Sequence, residues 1–562
     1  VVSLAGCTRP VELTGPAGPG AGGGAGVGAT GLPAHDGPVV LITLGGLRAD
    51  SLRPELTPHL AALAAEADWS GRAVAASSWS LPALGTLTTG LDPWLHGMVT
   101  SEPAAGGSTA PRPGNGPDTG RRAAALGWEA GFPTLGEAVG AHGYEMSTYL
   151  SGGFLRRSPL APRALGTVRP LRRGAFAEGH LRSLGEPGSR RRQLLWVQLE
   201  EPALPYERRG AGPAGRVAGA ALPPSLSAAD LEAWNRAPGA PTREQRATLG
   251  AMYRLEAARA DARLGAFLAA LRASPAWEET LLLVTALHGA PVGAGAAPGG
   301  DAVEGGDAVP GGDRLGRSLG RGMLEVPLVV KLPRALRQAG ATLAEPPGGL
   351  VAQGRVWSTL VEAVGGRPAP AAPPGLFRAA PTAALSELHL ENGINEISLV
   401  EASAGEETWQ LLWRARFAAP EAGFAAARAA DFAAADGVDG AAADAAYEAR
   451  TGEAPEDLFR RLRTAYEAAP PLSGPPGSQP HLTLLRWTAA GGAERVEDPE
   501  RAAAMARRLR RHWLAFQTCE RPPAAEAAHR AALRTGGLAM AGGPDSGSAT
   551  SFAARADSLP TR

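Results

Sequence analysis

Lysine is nearly missing from this chain. Among 562 residues carrying 55 basic side chains, Lys331 is the only lysine, so arginine supplies almost all of the positive charge, a bias that fits GC-rich coding as well as any chemical need. Net charge is missing too: 55 basic residues balance 55 acidic ones, which leaves no global field to gather nucleic acid or another polyanion. No nucleic-acid partner is expected. Cysteine is scarce, and Cys7 and Cys519 lie at opposite ends, which excludes a framework of several disulfides and a four-cysteine zinc site. Nowhere past the first few residues is there a run of about 18 apolar residues, so no membrane-spanning helix is expected.

What is abundant is glycine and proline, 75 and 50 residues, gathered into stretches that mark linkers and loops. With 44% hydrophobic residues the chain can bury at least one large core. It opens on "VVSLAGC", which matches the Leu-Ala-Gly-Cys box where bacterial lipoprotein signals are cut and the cysteine is lipidated. A Gly/Pro-rich tether follows at once. Residues 1–37 therefore read as a signal remnant and tether, with Cys7 as the lipidation site, a membrane contact through that anchor, and a place in the bacterial cell envelope.

From Pro38 the pattern becomes strand and helix in alternation. "PVVLITL" is a continuous apolar run rich in β-branched residues, suited to a strand buried on both faces. "LTPHLAALAAEA" places Leu56, Leu60 and Leu63 at helical spacing behind Thr57 and Pro58 as start signals. "FPTLGEAVGAHGY" reads as a helix ending at Gly143, "EMSTYLS" and "RRQLLWVQLE" as strands, residues 244–273 as a long helix, and "TLLLVTALHG" and "EVPLVVKLP" as strands. This alternation predicts an α/β domain over residues 38–366, a mostly parallel central sheet with helices on both faces. Past "RPAPAAPPG", residues 367–520 read as a smaller α+β subdomain with strands at "ETWQLLWRARF" and "HLTLLRWTA" and a helix over 498–516; residues 521–562 read as a disordered tail. The repeat "GGDAVEGGDAVPGGDR" holds three evenly spaced aspartates but no ordered ligand series or closing Glu, so it reads as a surface loop without a metal.

Several of these segments, in this order, resemble the sulfatases of the alkaline phosphatase superfamily. "VVLITLGGLRADSL" resembles their first strand and metal turn, "LTPHLAALAAEADW" the helix after it, and "SSWSLPALGTLTTGLDPWLHGM" the nucleophile segment. "LLWVQLEEPALPY", "TLLLVTALHG" and "EVPLVVKLP" resemble later strands of that family. The resemblance implies sulfuric ester hydrolysis by an oxygen nucleophile held by a divalent cation such as calcium. A hard cation of that kind needs several carboxylate oxygens, and without it neither nucleophile nor anionic transition state is stabilised.

The positions that the resemblance assigns to those carboxylates are occupied by Gly45, Gly46 and Leu287, none of which has a side-chain oxygen. No cofactor is therefore expected. Ala203 stands where the family has a histidine, Leu315 where a His or Lys often precedes the "VPL" strand, and Leu84 where it has an arginine. Ser80 falls on the nucleophile position, at the start of a helix, where an anion is favoured; as a bare serine there, it reads first as a helix cap. Arg48, His96 and His288 survive from the pattern as candidate binding groups for an anionic ester, and Arg48 with Asp50 equally reads as a structural pair. Three functions stay open: a sulfatase-like protein with impaired catalysis, an active sulfate or phosphate esterase using Ser80 with an unconventional metal site, and a non-catalytic envelope scaffold.

Overall fold

The computed structural model describes residues 33–96, 133–151, 165–171, 175–187, 192–207, 216–217, 220–236, 242–292, 319–344, 349–368, 372–379, 383–389, 394–402, 407–416, 481–488 and 493–517. Cys7, most of the tether, the aspartate repeat, Leu315, Cys519 and the C-terminal tail lie outside them.

The strands in chain order begin with β1 (Val39–Leu44), β2 (Trp69–Val74), β3 (Glu145–Leu150), β4 (Thr167–Pro170) and β5 (Gln193–Leu199). Four two-residue strands follow, β6 (Tyr206–Glu207), β7 (Arg216–Val217), β8 (Ala220–Ala221) and β9 (Ser225–Leu226), and pair as two small ribbons, β6 with β9 and β7 with β8. Then come β10 (Leu281–Ala286), β11 (Glu325–Lys331) and β12 (Leu350–Ala352). The main sheet has the order β12-β2-β11-β10-β1-β5-β3-β4, and every neighbouring pair is parallel except the two that involve β11.

Every residue of β1 is buried, as its mostly apolar run favours, and its single polar side chain, Thr43, is buried with the rest. Each such Val, Leu or Ile contributes roughly 1.5–3 kcal/mol on burial. Trp196 on β5 is also fully buried, and its indole donates to Thr43 Oγ1 on β1 at 2.8 Å, so the one polar atom of the ring is satisfied inside the sheet.

Helices pack in two groups. The long helix Arg243–Arg272 starts at a Thr242/Gln245 capping box and packs against the helices Pro58–Glu66 and Ala175–Ser183. Buried Asp261 on it accepts the backbone N–H groups of His59 and Leu60 at 3.0 and 2.9 Å, so a carboxylate meets the positive end of the Pro58 helix. The second group joins Ser80–Thr89, Leu135–Gly140 and Gly354–Ala363. None of the described helices is long and apolar enough to cross a membrane.

A second, antiparallel sheet follows: β13 (Ala383–His389), β14 (Ile394–Ala402), β15 (Thr408–Arg416), β16 (His481–Trp487) and β17 (Ala493–Arg495), with the helix Pro499–Gln517 on β14 and β15. Its first strand meets the segment that follows β2: Ser386 Oγ donates to the Ala75 carbonyl at 2.7 Å and Glu387 N–H to that of Ala76 at 2.8 Å. The large mixed sheet with helices and the separate antiparallel sheet agree with the fold class read from the sequence.

Candidate functional site

From β1 the chain runs to β2 on one side of the sheet and later to β3 on the other, so the order reverses at β1. In open α/β sheets the crevice beyond the carboxyl ends of the strands at such a reversal is where ligands bind. Gly45 and Gly46 follow β1 there, Leu287 and His288 follow β10, and Glu200 to Ala203 follow β5.

At the glycines that crevice is filled by backbone. A Cβ on Gly45 would overlap the carbonyl oxygen of Glu200 and lie 2.9 Å from the Ala203 Cβ, and one on Gly46 would lie 2.8 Å from the Pro202 carbonyl oxygen. Gly45 N–H donates to the Glu201 carbonyl at 3.2 Å, and Leu287 N–H to that of Leu44 at 2.8 Å. The Leu287 side chain is 1% exposed and belongs to the main core. Carboxylates at positions 45 and 46 would therefore need the turn after β5 to move, and position 287 offers hydrocarbon. The donor set does not fit a hard divalent cation, which takes six or more oxygens. Among the described residues no group of three or more His, Cys, Asp or Glu side chains is placed to hold a metal.

A few residues away the crevice is polar. Ser80 Oγ lies 2.9 Å from His288 Nε2, across 208 residues of sequence. His288 Nδ1 lies 2.7 Å from the Gly289 carbonyl oxygen. A carbonyl oxygen can only accept, so Nδ1 holds the ring proton and the bare Nε2 accepts from the serine hydroxyl. Burial lowers the His288 pKa below the usual imidazole value, with the Gly289 carbonyl opposing in part, so the ring is neutral at neutral pH. Ser80 itself is half-buried and opens the helix Ser80–Thr89, whose cap is Trp79. This corrects the capping expectation for Ser80: its hydroxyl goes to His288, and no side chain caps that helix.

What brings the two together is Gln353, at the start of the helix Gly354–Ala363 and 1% exposed. Its amide N donates to the carbonyls of Ala286 and Leu287 at 3.0 and 2.8 Å, and its amide O accepts from Ala76 N–H at 3.0 Å. One buried side chain thus ties the end of β10 to the segment leading into Ser80. No sequence pattern singles out Gln353, because a lone glutamine between a strand and a helix carries no period and no motif.

The other surviving residues lie in separate settings. Arg48 is buried and forms a two-pronged pair with Asp50, at 2.9 and 2.6 Å, and also donates to the Val292 carbonyl; its backbone N–H goes to Tyr253. Burial pushes the Asp50 carboxyl up, but the Arg48 charge and hydrogen bonds outweigh it and leave its pKa lowered. His96 hydrogen-bonds Thr86 Oγ1 at 3.2 Å, six residues or about 9 Å along the helix from Ser80. Burial lowers its pKa to about 3, against a smaller opposing pull from Glu387. Lys331 donates to the Trp277 carbonyl at 2.9 Å, with its ammonium 4.4 Å from the centre of that indole ring. It pairs with Leu282 at the amino end of β10, on the rim of the sheet opposite the crevice. Of the residues read from the sequence, the fold brings Ser80 and His288 together and engages Arg48, His96 and Lys331 elsewhere.

Comparison with known proteins gives a local match and a set of distant folds. Residues 39–104 match the family model of type I phosphodiesterase / nucleotide pyrophosphatase, a span that holds both the Gly45 turn and the Ser80 helix. No curated protein matches the chain. Among solved structures the chain is similar to a putative sulfatase from Bacteroides thetaiotaomicron, at 15% identity over 68% of this chain and 83% of that one with a TM-score of 0.45. It is also similar to a 2-O GAG sulfatase, at 13% identity over 78% and 94% with a TM-score of 0.47. A third is a putative sulfatase from Bacteroides fragilis, at 13% identity over 77% and 96% with a TM-score of 0.45.

Proposed function

We propose that this chain is a sulfatase-like protein of the bacterial cell envelope that has given up cation-dependent ester hydrolysis. The observation that carries this reading is the turn after β5, whose carbonyls occupy the space that side chains at Gly45 and Gly46 would need. One substituted ligand is a variation; backbone packed into the space of two, with a core leucine at a third, removes the cavity that a cation would share with them. The match over residues 39–104 supports descent from phosphate- or sulfate-ester chemistry, since it spans the altered turn and the retained serine together.

The test is turnover of aryl sulfates and of aryl phosphate mono- and diesters, measured with a chelator and after return of calcium, magnesium, manganese or zinc. No turnover that chelation removes and a cation restores is expected. Chelator-sensitive turnover that Ser80→Ala abolishes would overturn the proposal.

The envelope location rests on the Leu-Ala-Gly-Cys box and the Gly/Pro-rich stretch after it. A palmitate analogue fed to cells making the natural precursor should label the protein through Cys7, and Cys7→Ala should release it to the soluble fraction. Soluble wild-type protein without lipid would contradict the anchor.

A further inference from the structure

We propose that Ser80 and His288 form a metal-independent nucleophile and base that cleave neutral carboxylic esters. The inference goes beyond the loss of cation chemistry, and it rests on three features of the crevice.

The first is the pair itself. A serine hydroxyl becomes a useful nucleophile when a neutral imidazole within about 2.6–3.2 Å can take its proton, and when a third group holds that ring in the right tautomer. Ser80 Oγ to His288 Nε2 is 2.9 Å, and the Gly289 carbonyl on Nδ1 supplies the third group. Gln353 holds the two chain segments in register, so the contact does not depend on a mobile side chain.

The second is the start of the helix that carries Ser80. The first N–H groups of a helix have no intrahelical acceptor, and the helix that Ser80 opens is ten residues long with no side chain from its Trp79 cap filling them. The backbone N–H groups of Ser80 and Leu81 are the donors available to an oxyanion formed at Ser80, and Pro82 has none to add.

The third is charge, and it selects the substrate. The Arg48 guanidinium is engaged by Asp50 and loop carbonyls, and Lys331 is on the opposite rim. Among the described residues no arginine or lysine hydrogen-bonds to Ser80 or His288; a sulfate or phosphate ester would bring negative charge that backbone donors alone would have to meet, whereas a carboxylic ester is neutral and develops one charge that they can meet.

In the reaction, Ser80 Oγ attacks the ester carbonyl carbon as His288 Nε2 takes the hydroxyl proton. The tetrahedral intermediate collapses with cleavage of the bond from acyl carbon to alkoxy oxygen, and the alcohol leaves with that proton. Water then attacks the acyl-serine, giving its proton to Nε2; the carboxylic acid departs and Ser80 recovers a proton from the ring.

The experiment uses the full purified chain with a fluorophosphonate probe and with p-nitrophenyl acetate, with and without a chelator. A single adduct on Ser80, located by peptide mass, and acetate hydrolysis unaffected by the chelator are expected. Ser80→Ala should abolish the adduct, and both Ser80→Ala and His288→Gln should lower kcat/KM by at least about 100-fold. Thermal unfolding of Ser80→Ala near that of the parent keeps the result independent of folding. Absence of an adduct, an adduct elsewhere, or equal rates in Ser80→Ala would overturn the proposal. Such a failure would leave the loss of cation chemistry standing, because that reading stands or falls on chelator-sensitive turnover of sulfate and phosphate esters.

Discussion

Two corners of one crevice have gone different ways. At the end of β1, Gly45 and Gly46 lie under the backbone of the turn after β5, and Leu287 beside them is core. At the end of β10 and the start of the Ser80 helix, a hydroxyl and an imidazole remain polar, paired and oriented. On the proposed reading, the difference is that between a site giving up one chemistry and the same site keeping the parts of another. Carboxylates that gather a cation repel one another unless the cation is there, so a fold without them is relieved of that repulsion. A serine–histidine pair satisfies its own hydrogen bonds without a ligand, so the fold retains it at little cost.

Restoring acids is the strongest way to break this comparison. Gly45→Asp puts a Cβ into the Glu200 carbonyl, which a backbone atom cannot cheaply yield, and a loss of about 4 kcal/mol in denaturant-derived stability is expected. Gly46→Asp should cost less, since its Cβ would lie 2.8 Å from the Pro202 carbonyl oxygen, a shallower overlap that a smaller shift of the turn relieves. Equal stability to the parent for Gly45→Asp would mean that the turn after β5 moves freely and that the pocket reopens on demand.

Gln353→Ala comes next. It leaves the Ala76 N–H and the Ala286 and Leu287 carbonyls buried without this partner, at about 1–3 kcal/mol for each group left unsatisfied. A loss of about 3 kcal/mol in urea unfolding is expected, with a fall in labelling of Ser80. Loss of stability with unchanged labelling would show that Gln353 supports the fold and does not position the pair.

Acid should act on the whole neighbourhood. His96 has a folded-state pKa lowered from 6.5 to about 3, and His288 shifts in the same direction, so below pH 6.5 the unfolded chain binds more protons than the folded one. The His96 contribution is fully present above pH 6.5 and is lost as pH falls from there toward 3, by up to about 1.4 kcal/mol per pH unit, and that of His288 is lost in the same direction. His96→Gln should flatten the slope of stability against pH between 6 and 4, measured by unfolding at fixed ionic strength. An unchanged slope would mean that His96 is not buried as a neutral ring.

The smallest effect sharpens the other corner. A serine cap is worth about 0.5–2 kcal/mol to a helix. Because the Ser80 hydroxyl goes to His288, Ser80→Ala should cost no more than one net hydrogen bond, about 1 kcal/mol, and should leave the amide exchange of Ala83 and Leu84 unchanged. Faster exchange in that first turn would restore the capping role.

Much of this fold is legible in the sequence because its central strands are mostly apolar. β1, β5, β10 and β11 are buried along nearly their whole length, and a run such as Val39 to Leu44 has one stable place to go. β2 is not legible: Trp69 to Val74 contains Gly71 and Arg72 and is buried mainly at its ends, so its strand character comes from pairing with β11. The antiparallel direction of β11 is equally hidden, since period and composition do not encode direction. Within the site, the positions without acids are visible as Gly45, Gly46 and Leu287 because an acid is either there or absent. The contact of Ser80 with His288 is not, because it spans 208 residues and depends on Gln353, which no motif marks.

The most direct measurement is calorimetric titration of the chelator-treated protein with calcium, magnesium and zinc, alongside metal content after dialysis. No stoichiometric binding by any of the three is expected, since Gly45, Gly46 and Leu287 offer no side-chain oxygen and the turn after β5 fills the space around the two glycines. One tightly held cation per chain, lost on substitution of Ser80 or His288, would contradict it.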